Sequence, residues 1–262
     1  MISLIVPVFN NINSIYLVFE SIVHNLTKND ELIIIDDSSS DGTWEALILL
    51  KKQNYNFNFI LQRNKTNLGI SSSLNRGIKY ATKPYIARHD GDDIIINGRF
   101  KYQLEILLAN PKIDLLSSSK IQIQDYKNKI NINSVYNLVK GIPQELNRKT
   151  LAIGNVITHP GVICKTNILK ENLYDKSFNA QGEDYHLWLR LMNKNYNLYI
   201  DKTPVIIYFE YTYPRKIKKQ LLGSIKVRLL SLNFKYPIFC FYLFIGIFLD
   251  FIRLLNRFRI YA

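Results

Sequence analysis

The first 110 residues alternate between short apolar runs and stretches of helical spacing, and this pattern restricts the chain to a few folds. Ile2 to Val6, Glu31 to Ile35, Phe57 to Leu61 and Tyr85 to Arg88 read as strands. Between them, Ile12 to Leu26 sets Ile15, Val18, Phe19 and Ile22 on one helical face. Asp41 to Lys52 opens with a capping pattern and continues as a helix, and Ile70 to Ala81 is a third helix. The βαβαβαβ order predicts an α/β fold with a Rossmann-like, mostly parallel sheet flanked by helices. Ligands of such sheets bind beyond the carboxyl ends of the strands, near a switch in strand order.

Further along, Arg99 to Ala109 and Glu183 to Lys194 read as helices. Ile113 to Ser117, Val162 to Lys165, Tyr196 to Ile200 and Val205 to Phe209 read as strands. The polar stretch from Ser118 to Thr150 predicts no clear element. A chain of 262 residues has room for one large domain, alone or with a tail. Its 47% hydrophobic and 21% charged residues exclude a disordered chain. With only Cys164 and Cys240, a disulfide scaffold and a cysteine-based zinc site are excluded.

The net charge of +13 admits two partners, nucleic acid or an anionic membrane. From Glu210 onward, ten Lys and Arg stand against Glu210 and Asp250, so the last 53 residues carry +8. The same segment holds the uncharged run Pro237 to Leu249, PIFCFYLFIGIFL. At thirteen residues it is shorter than the roughly 20 needed to span a bilayer. Residues 1–209 therefore read as the main domain and 210–262 as a helical, membrane-associating tail. Basic residues from Arg215 to Lys235 would meet anionic head groups, each contact worth about 1 kcal/mol. A core helix packed on the main domain is the alternative. Nucleic acid is not an expected partner, because the tail's aromatics sit in the apolar run and not among its basic residues. The N-terminus has no basic segment before its apolar run and is too short for a signal peptide. The expected location is the cytoplasmic face of the cell's inner membrane, peripheral or monotopic.

Three acidic clusters stand at strand or loop ends: Asp36-Asp37 with Asp41, Asp90-Gly91-Asp92-Asp93, and Glu183-Asp184. Massed carboxylates repel one another unless a cation or hydrogen-bond donors compensate. Hard divalent ions take oxygen ligands, and Mg²⁺ often sits between one or two carboxylates and substrate phosphates. Asp90-Gly91-Asp92 suits such an ion, with Gly91 permitting a tight turn. Asp41 reads as a helix cap.

With these motifs in order, the chain resembles a family 2 glycosyltransferase of GT-A fold. The resemblance rests on Ile5-Val6-Pro7-Val8-Phe9-Asn10, Ile34-Ile35-Asp36-Asp37, Asn67-Leu68-Gly69, Asp90-Gly91-Asp92-Asp93 and Gly182-Glu183-Asp184-Tyr185. It implies inverting transfer of a sugar from a nucleotide-sugar, usually a UDP-sugar, to a glycan or lipid-linked acceptor in surface polysaccharide or lipopolysaccharide synthesis. By position, Pro7, Phe9 and Asn10 line the nucleotide pocket with Asn67 and Gly69, and Phe9 lies against the base. Asp37 accepts from the uracil ring and Asp36 supports the strand end. Asp92 is the metal ligand, Asp90 touches ribose or metal, and the ion is Mn²⁺ or Mg²⁺. Asp184 is the catalytic base, with Glu183 beside it.

Three further residues, together with Glu183, are candidates for acceptor contact or support. His159 is weighed against a structural histidine, Trp188 against a core role, and Arg99 is expected to face the acidic cluster or a phosphate. His89 and His186 are expected to point away from Asp90 and Asp184. Two other readings are kept: a metal-dependent nucleotidyltransferase, which would want a glycine-rich phosphate loop after the first strand, and a non-catalytic nucleotide-sugar-binding module.

Overall fold

The computed structural model describes residues 1–123, 140–178, 182–209, 214–232 and 237–260. Its order is β1 (Ile2–Val8), α1 (Ile15–Val23), β2 (Glu31–Asp36), α2 (Thr43–Lys51), β3 (Asn58–Arg63), α3 (Ile70–Tyr80), β4 (Tyr85–Arg88) and β5 (Ile94–Ile95). Then follow α4 (Arg99–Ala109), β6 (Leu115–Ile123), β7 (Gln144–Glu145), α5 (Arg148–Ile153), β8 (Val162–Lys165) and α6 (Thr166–Glu171). The chain continues with α7 (Glu183–Asn193), β9 (Leu198–Phe209), α8 (Pro214–Leu230) and α9 (Pro237–Ile260).

One sheet runs in the order β3-β2-β1-β4-β8-β6-β9-β5, with β7 on β9. Its first four strands are parallel, as the alternation predicts. Beyond β4 the sheet is mixed, because β8 runs antiparallel to both β4 and β6. The sequence switches direction at β1: β2 and β3 lie on one side and β4 on the other. The crevice beyond the ends of β1 and β4 is where a ligand is expected.

Strands β1 and β2 are buried on both faces, which explains their continuous apolar runs. Leu4, Val6, Leu32 and Ile34 join α1, α2 and α4 in one core cluster. Ile5, Ile33 and Ile35 join α3, α6 and α7 in the other.

The two strands expected at Tyr196–Ile200 and Val205–Phe209 form one, β9. Its register against β6 shifts around Ser118 and Ser119, and this irregularity takes up Asp201 to Pro204. Pro204 has no N–H to give a ladder, and Thr203 donates its amide to Asp201 at 3.2 Å, so the strand bulges without ending. The unassigned stretch before Thr150 supplies the end of β6, β7 and the start of α5. Residues 124–139 lie outside the described residues.

The C-terminal helices pack on the main core. Val227 of α8 and Phe239 and Leu243 of α9 belong to the same cluster as Leu151 and Trp188. Arg228 and Asp250, which the composition assigns to a lipid-facing tail, are instead buried against each other. Arg228 also donates to the carbonyls of Ala152 (2.9 Å) and Ile153 (2.7 Å) at the end of α5. Tyr185 adds its hydroxyl to Leu151 (2.7 Å) and Ala152 (3.1 Å). The orphan carbonyls of a helix C-terminus are thus satisfied by side chains. Gly246 makes this possible: a Cβ there would lie 2.5 Å from Arg228 Nε and 2.7 Å from the Ala152 oxygen. Among the described residues, no helix is long and apolar enough to cross a membrane.

Candidate active site

Strands β1 and β2 end side by side, Val8 opposite Asp36. Asp36 is fully buried and paired with Arg63 on β3, directly across the ladder, at 3.1 Å. The amide of Ser39 donates to the same carboxylate at 3.2 Å, so Asp36 supports the strand end. Asp37 is buried too and accepts from Asn64 Nδ2 (2.7 Å), the Leu68 amide (2.9 Å) and the Gly69 amide (2.7 Å). It fastens the loop carrying Asn67 and Gly69 to the end of β2. Of the roughly four acceptor directions of a carboxylate, one is left.

The loop after β1 is stitched to the loop after β2. The Asn10 amide donates to Ser39 Oγ (3.0 Å), and its side-chain oxygen accepts from the Ser40 amide (2.9 Å). Asn11 and Ile12 donate their amides to Thr43 and Asp41. Asp41 also accepts from the Thr43 amide at 3.0 Å; the N-cap position itself is Gly42, so Asp41 stands one residue before the cap that the sequence assigned to it. Phe9, between these anchors, is 46% exposed, an open ring face at the mouth of the crevice. Pro7 lies within β1 opposite Ile35, and Asn67 is exposed.

The acidic turn follows β4. Arg88 ends that strand and grips Asp90 with both guanidinium nitrogens, at 2.6 and 2.5 Å. Gly91 serves closeness more than curvature: a Cβ would stand 2.9 Å from both Val8 Cγ1 and Asn11 Oδ1. Ser14 donates to the Gly91 carbonyl at 2.9 Å, locking the turn against the start of α1. Asp92 is partly exposed and Asp93 buried. Burial and the charges of Asp90 and Asp92 push the Asp93 carboxyl up to about 9. Among the described residues, no three His, Cys, Asp or Glu side chains gather into a ready cation site. Asp90 and Asp92 are nonetheless hard oxygen donors on one turn, a chemistry that fits a divalent ion completed by donor phosphates.

The third cluster opens α7. Asp184 is partly exposed, and its Oδ2 accepts from Asn155 Nδ2 at 2.8 Å. Desolvation raises its proton affinity, opposed by the Tyr185 amide, Asn155 and the Arg88 charge. Glu183 is buried, and burial plus the Asp184 charge push it up to about 7. The field of Arg88 acts on Asp93, Glu183 and Asp184 as well as on Asp90. Arg88 thus lies within electrostatic reach of both the second and the third acidic cluster.

The supporting candidates divide. His159 is buried, with Nε2 2.8 Å from the Tyr174 hydroxyl and its ring edge-on to Trp188. Burial, then the nearby Arg88, hold it neutral. Trp188 is fully buried, so it packs the core and offers no stacking face to an acceptor. Arg99 is also fully buried, bonded to Gln103 (3.1 Å) and to the Arg88 carbonyl (3.0 Å). It sits buried at the start of α4, its guanidinium turned to the end of β4. His89 is buried between the Asp93 carbonyl and Arg99, and His186 stacks on Phe178; both point away from the carboxylates beside them.

Three residues escape sequence reading. Arg88 is visible only as a basic residue closing an apolar strand. Asn64 ties Asp37 to Ser73. Asn155 lies 29 positions from the carboxylate it orients. Asn155→Ala removes a hydrogen bond to a charged acceptor, so kcat should fall about tenfold. Because that bond lowers the Asp184 pKa, the acid limb of the pH profile should move to higher pH, with donor KM unchanged.

Known proteins converge on this geometry. The profile of the family described as "Glycosyl transferase family 2" matches residues 3–171. An uncharacterised glycosyltransferase of Rickettsia conorii is 32% identical over 204 residues, 77% of this chain and 32% of that protein. The chain thus spans about a third of the length of its Rickettsia relatives. The Escherichia coli UDP-Glc:alpha-D-GlcNAc-diphosphoundecaprenol beta-1,3-glucosyltransferase WfaP is 28% identical over 74% of this chain and 71% of its own. Among solved structures, Staphylococcus aureus TarS 1–349 in complex with UDP-GlcNAc has a TM-score of 0.63 at 15% identity, covering 87% of this chain and 65% of that one. A mannosyltransferase of Pyrobaculum calidifontis in complex with GDP-Man and Mn²⁺ has a TM-score of 0.69 at 13% identity, covering 92% and 68%. With the sheet switch, the acidic turn and the helix-borne carboxylate all in place, the chain belongs to glycosyltransferase family 2 and has the GT-A fold.

Proposed function

We propose that this enzyme transfers a sugar from a UDP-sugar to a lipid-linked acceptor, with inversion at the anomeric carbon. The observation that carries the reading is the pairing of the Asp90–Asp92 turn with Asp184 around buried Arg88, at the carboxyl end of the sheet. Phe9 offers a face for the base, and Asp37 keeps one acceptor direction for it. Asp184 takes the proton of the acceptor hydroxyl as that oxygen attacks. One displacement opposite the leaving group suffices, so no second nucleophile is required. Asp90 and Asp92 would hold Mn²⁺ or Mg²⁺, which when bound neutralises charge on the leaving diphosphate. Glu183 lies beside the base and Arg88 compensates the carboxylates when the donor is absent.

The lipid-linked acceptor is supported by the E. coli relative, whose name states a diphosphoundecaprenol substrate. Action at the cytoplasmic face of the inner membrane, without spanning it, accords with that acceptor. The solved relatives hold UDP-GlcNAc and GDP-Man, so a thermal-shift screen of both nucleotide classes with and without Mn²⁺ is the test. UDP and a UDP-sugar should raise the melting temperature by mass action, more so with the metal. Stabilisation by GDP-mannose alone would reassign the donor, and none by any nucleotide would overturn the reading.

A further inference from the structure

Helix α9 is apolar on two opposite faces. Phe239, Cys240 and Leu243 face the core, and Asp250 on the same side meets Arg228. The other face presents Ile238, Phe241, Phe244, Phe248 and Phe251, each between 51% and 73% exposed. These positions follow helical spacing over about 20 Å of helix. A contiguous apolar stripe of this kind on a folded chain marks something it binds.

We infer that this outward face of α9 lies in the surface of an anionic bilayer. Charge selects the occupant. The one acidic residue of α9, Asp250, points inward. Cations stand beside the stripe: Arg253 is 62% exposed, and Lys149 of α5 is exposed, with its ammonium 5.0 Å from the Tyr242 ring centre. The sequence from Glu210 onward carries +8. Two copies pressed together on this face would bring those charges against each other, whereas anionic head groups neutralise them. The face also has a fixed relation to the site. α9 is locked through Arg228 to Ala152 and Ile153, a few residues before Asn155, which donates to Asp184. The inference deepens the lipid-linked acceptor reading by naming the surface on which the carrier would be met.

The test is flotation of the full chain with vesicles of phosphatidylcholine alone or mixed with phosphatidylglycerol. The chain should partition onto the mixed vesicles, and added salt should weaken the partition. The triple variant Phe241→Ser, Phe244→Ser, Phe248→Ser, all at exposed positions, should lower it at least about tenfold while UDP binding and thermal stability hold. Equal partition of the variant, or no preference of the native chain for anionic vesicles, would overturn the inference. So would light scattering that shows a native dimer converted to a monomer by the same substitutions. Lost docking with transfer to a water-soluble acceptor intact would remove the surface alone. Intact docking without nucleotide binding would remove the proposed function alone.

Discussion

Asp184→Asn is expected to abolish sugar transfer while donor binding survives. The substitution keeps the shape and the contact to Asn155 but removes the group that accepts a proton. General-base catalysis contributes roughly 10²- to 10⁴-fold, so kcat should fall by about three orders of magnitude. UDP affinity by calorimetry should change little, because the residues proposed to hold the nucleotide lie at the ends of β1, β2 and β4. The native enzyme should show the matching pH dependence. Desolvation raises the Asp184 proton affinity, and Glu183 beside it sits at about 7. The base works when unprotonated, so activity is full above its pKa and falls as pH drops through it. The acid limb should therefore lie above the ordinary carboxylate range. Retained turnover in Asp184→Asn, or a limb at ordinary carboxylate pH, would place the base elsewhere.

The largest stability cost is expected from Arg228→Met. The change leaves Asp250 in the interior with Arg253, itself exposed, as its remaining partner, takes the Arg228 donor from the Ile153 carbonyl, and leaves the Ala152 carbonyl to Tyr185. Breaking a buried pair from one side costs about 3 to 5 kcal/mol. For a chain of this size that corresponds to a melting temperature roughly 10 °C lower. Asp250→Asn should cost less, since Arg228 keeps its carbonyl acceptors. The double variant Arg228→Met, Asp250→Leu removes the stranded charge but does not restore the lost carbonyl bonds. Urea unfolding should show it recovering part of the loss. Full recovery would mean that the carbonyl bonds contribute nothing, and no loss in Arg228→Met would refute the clamp itself.

What was legible in the sequence follows physical range. The parallel half of the sheet could be read because each strand is a local apolar run and each helix a local period. Asp36, Asp37, Asp90 and Asp92 stand at or just beyond the ends of those runs and Asp184 opens α7, so position alone marked them as candidates. The mixed half was opaque because antiparallel β8 pairs with strands far apart in sequence, and because the bulge at Asp201 to Pro204 looks like a break. Trp188 takes the core role weighed against acceptor stacking, and Arg99 lies in the field of Asp93, one of the acidic residues it was expected to face, while its hydrogen bonds go to Gln103 and the Arg88 carbonyl. Which face of each helix meets the sheet is settled by tertiary packing. Arg88 and Asn155 act across loops whose closure no local pattern encodes. The basic, apolar tail was read from composition, yet two of its charged residues proved to be interior pieces of the catalytic unit.

The seating of α9 distinguishes this chain from an enzyme on a leash. A flexible linker lets a catalytic unit wander above its anchoring plane, and its encounter with substrate is then governed by effective concentration and linker length. Here Gly246 brings the helix against Arg228 and the end of α5. On the docking inferred above, the distance from the bilayer surface to Asp184 would be a fixed dimension of the molecule. Such an arrangement favours acceptors whose reactive hydroxyl stands at that height, and makes reach a determinant of specificity alongside the sugar pocket.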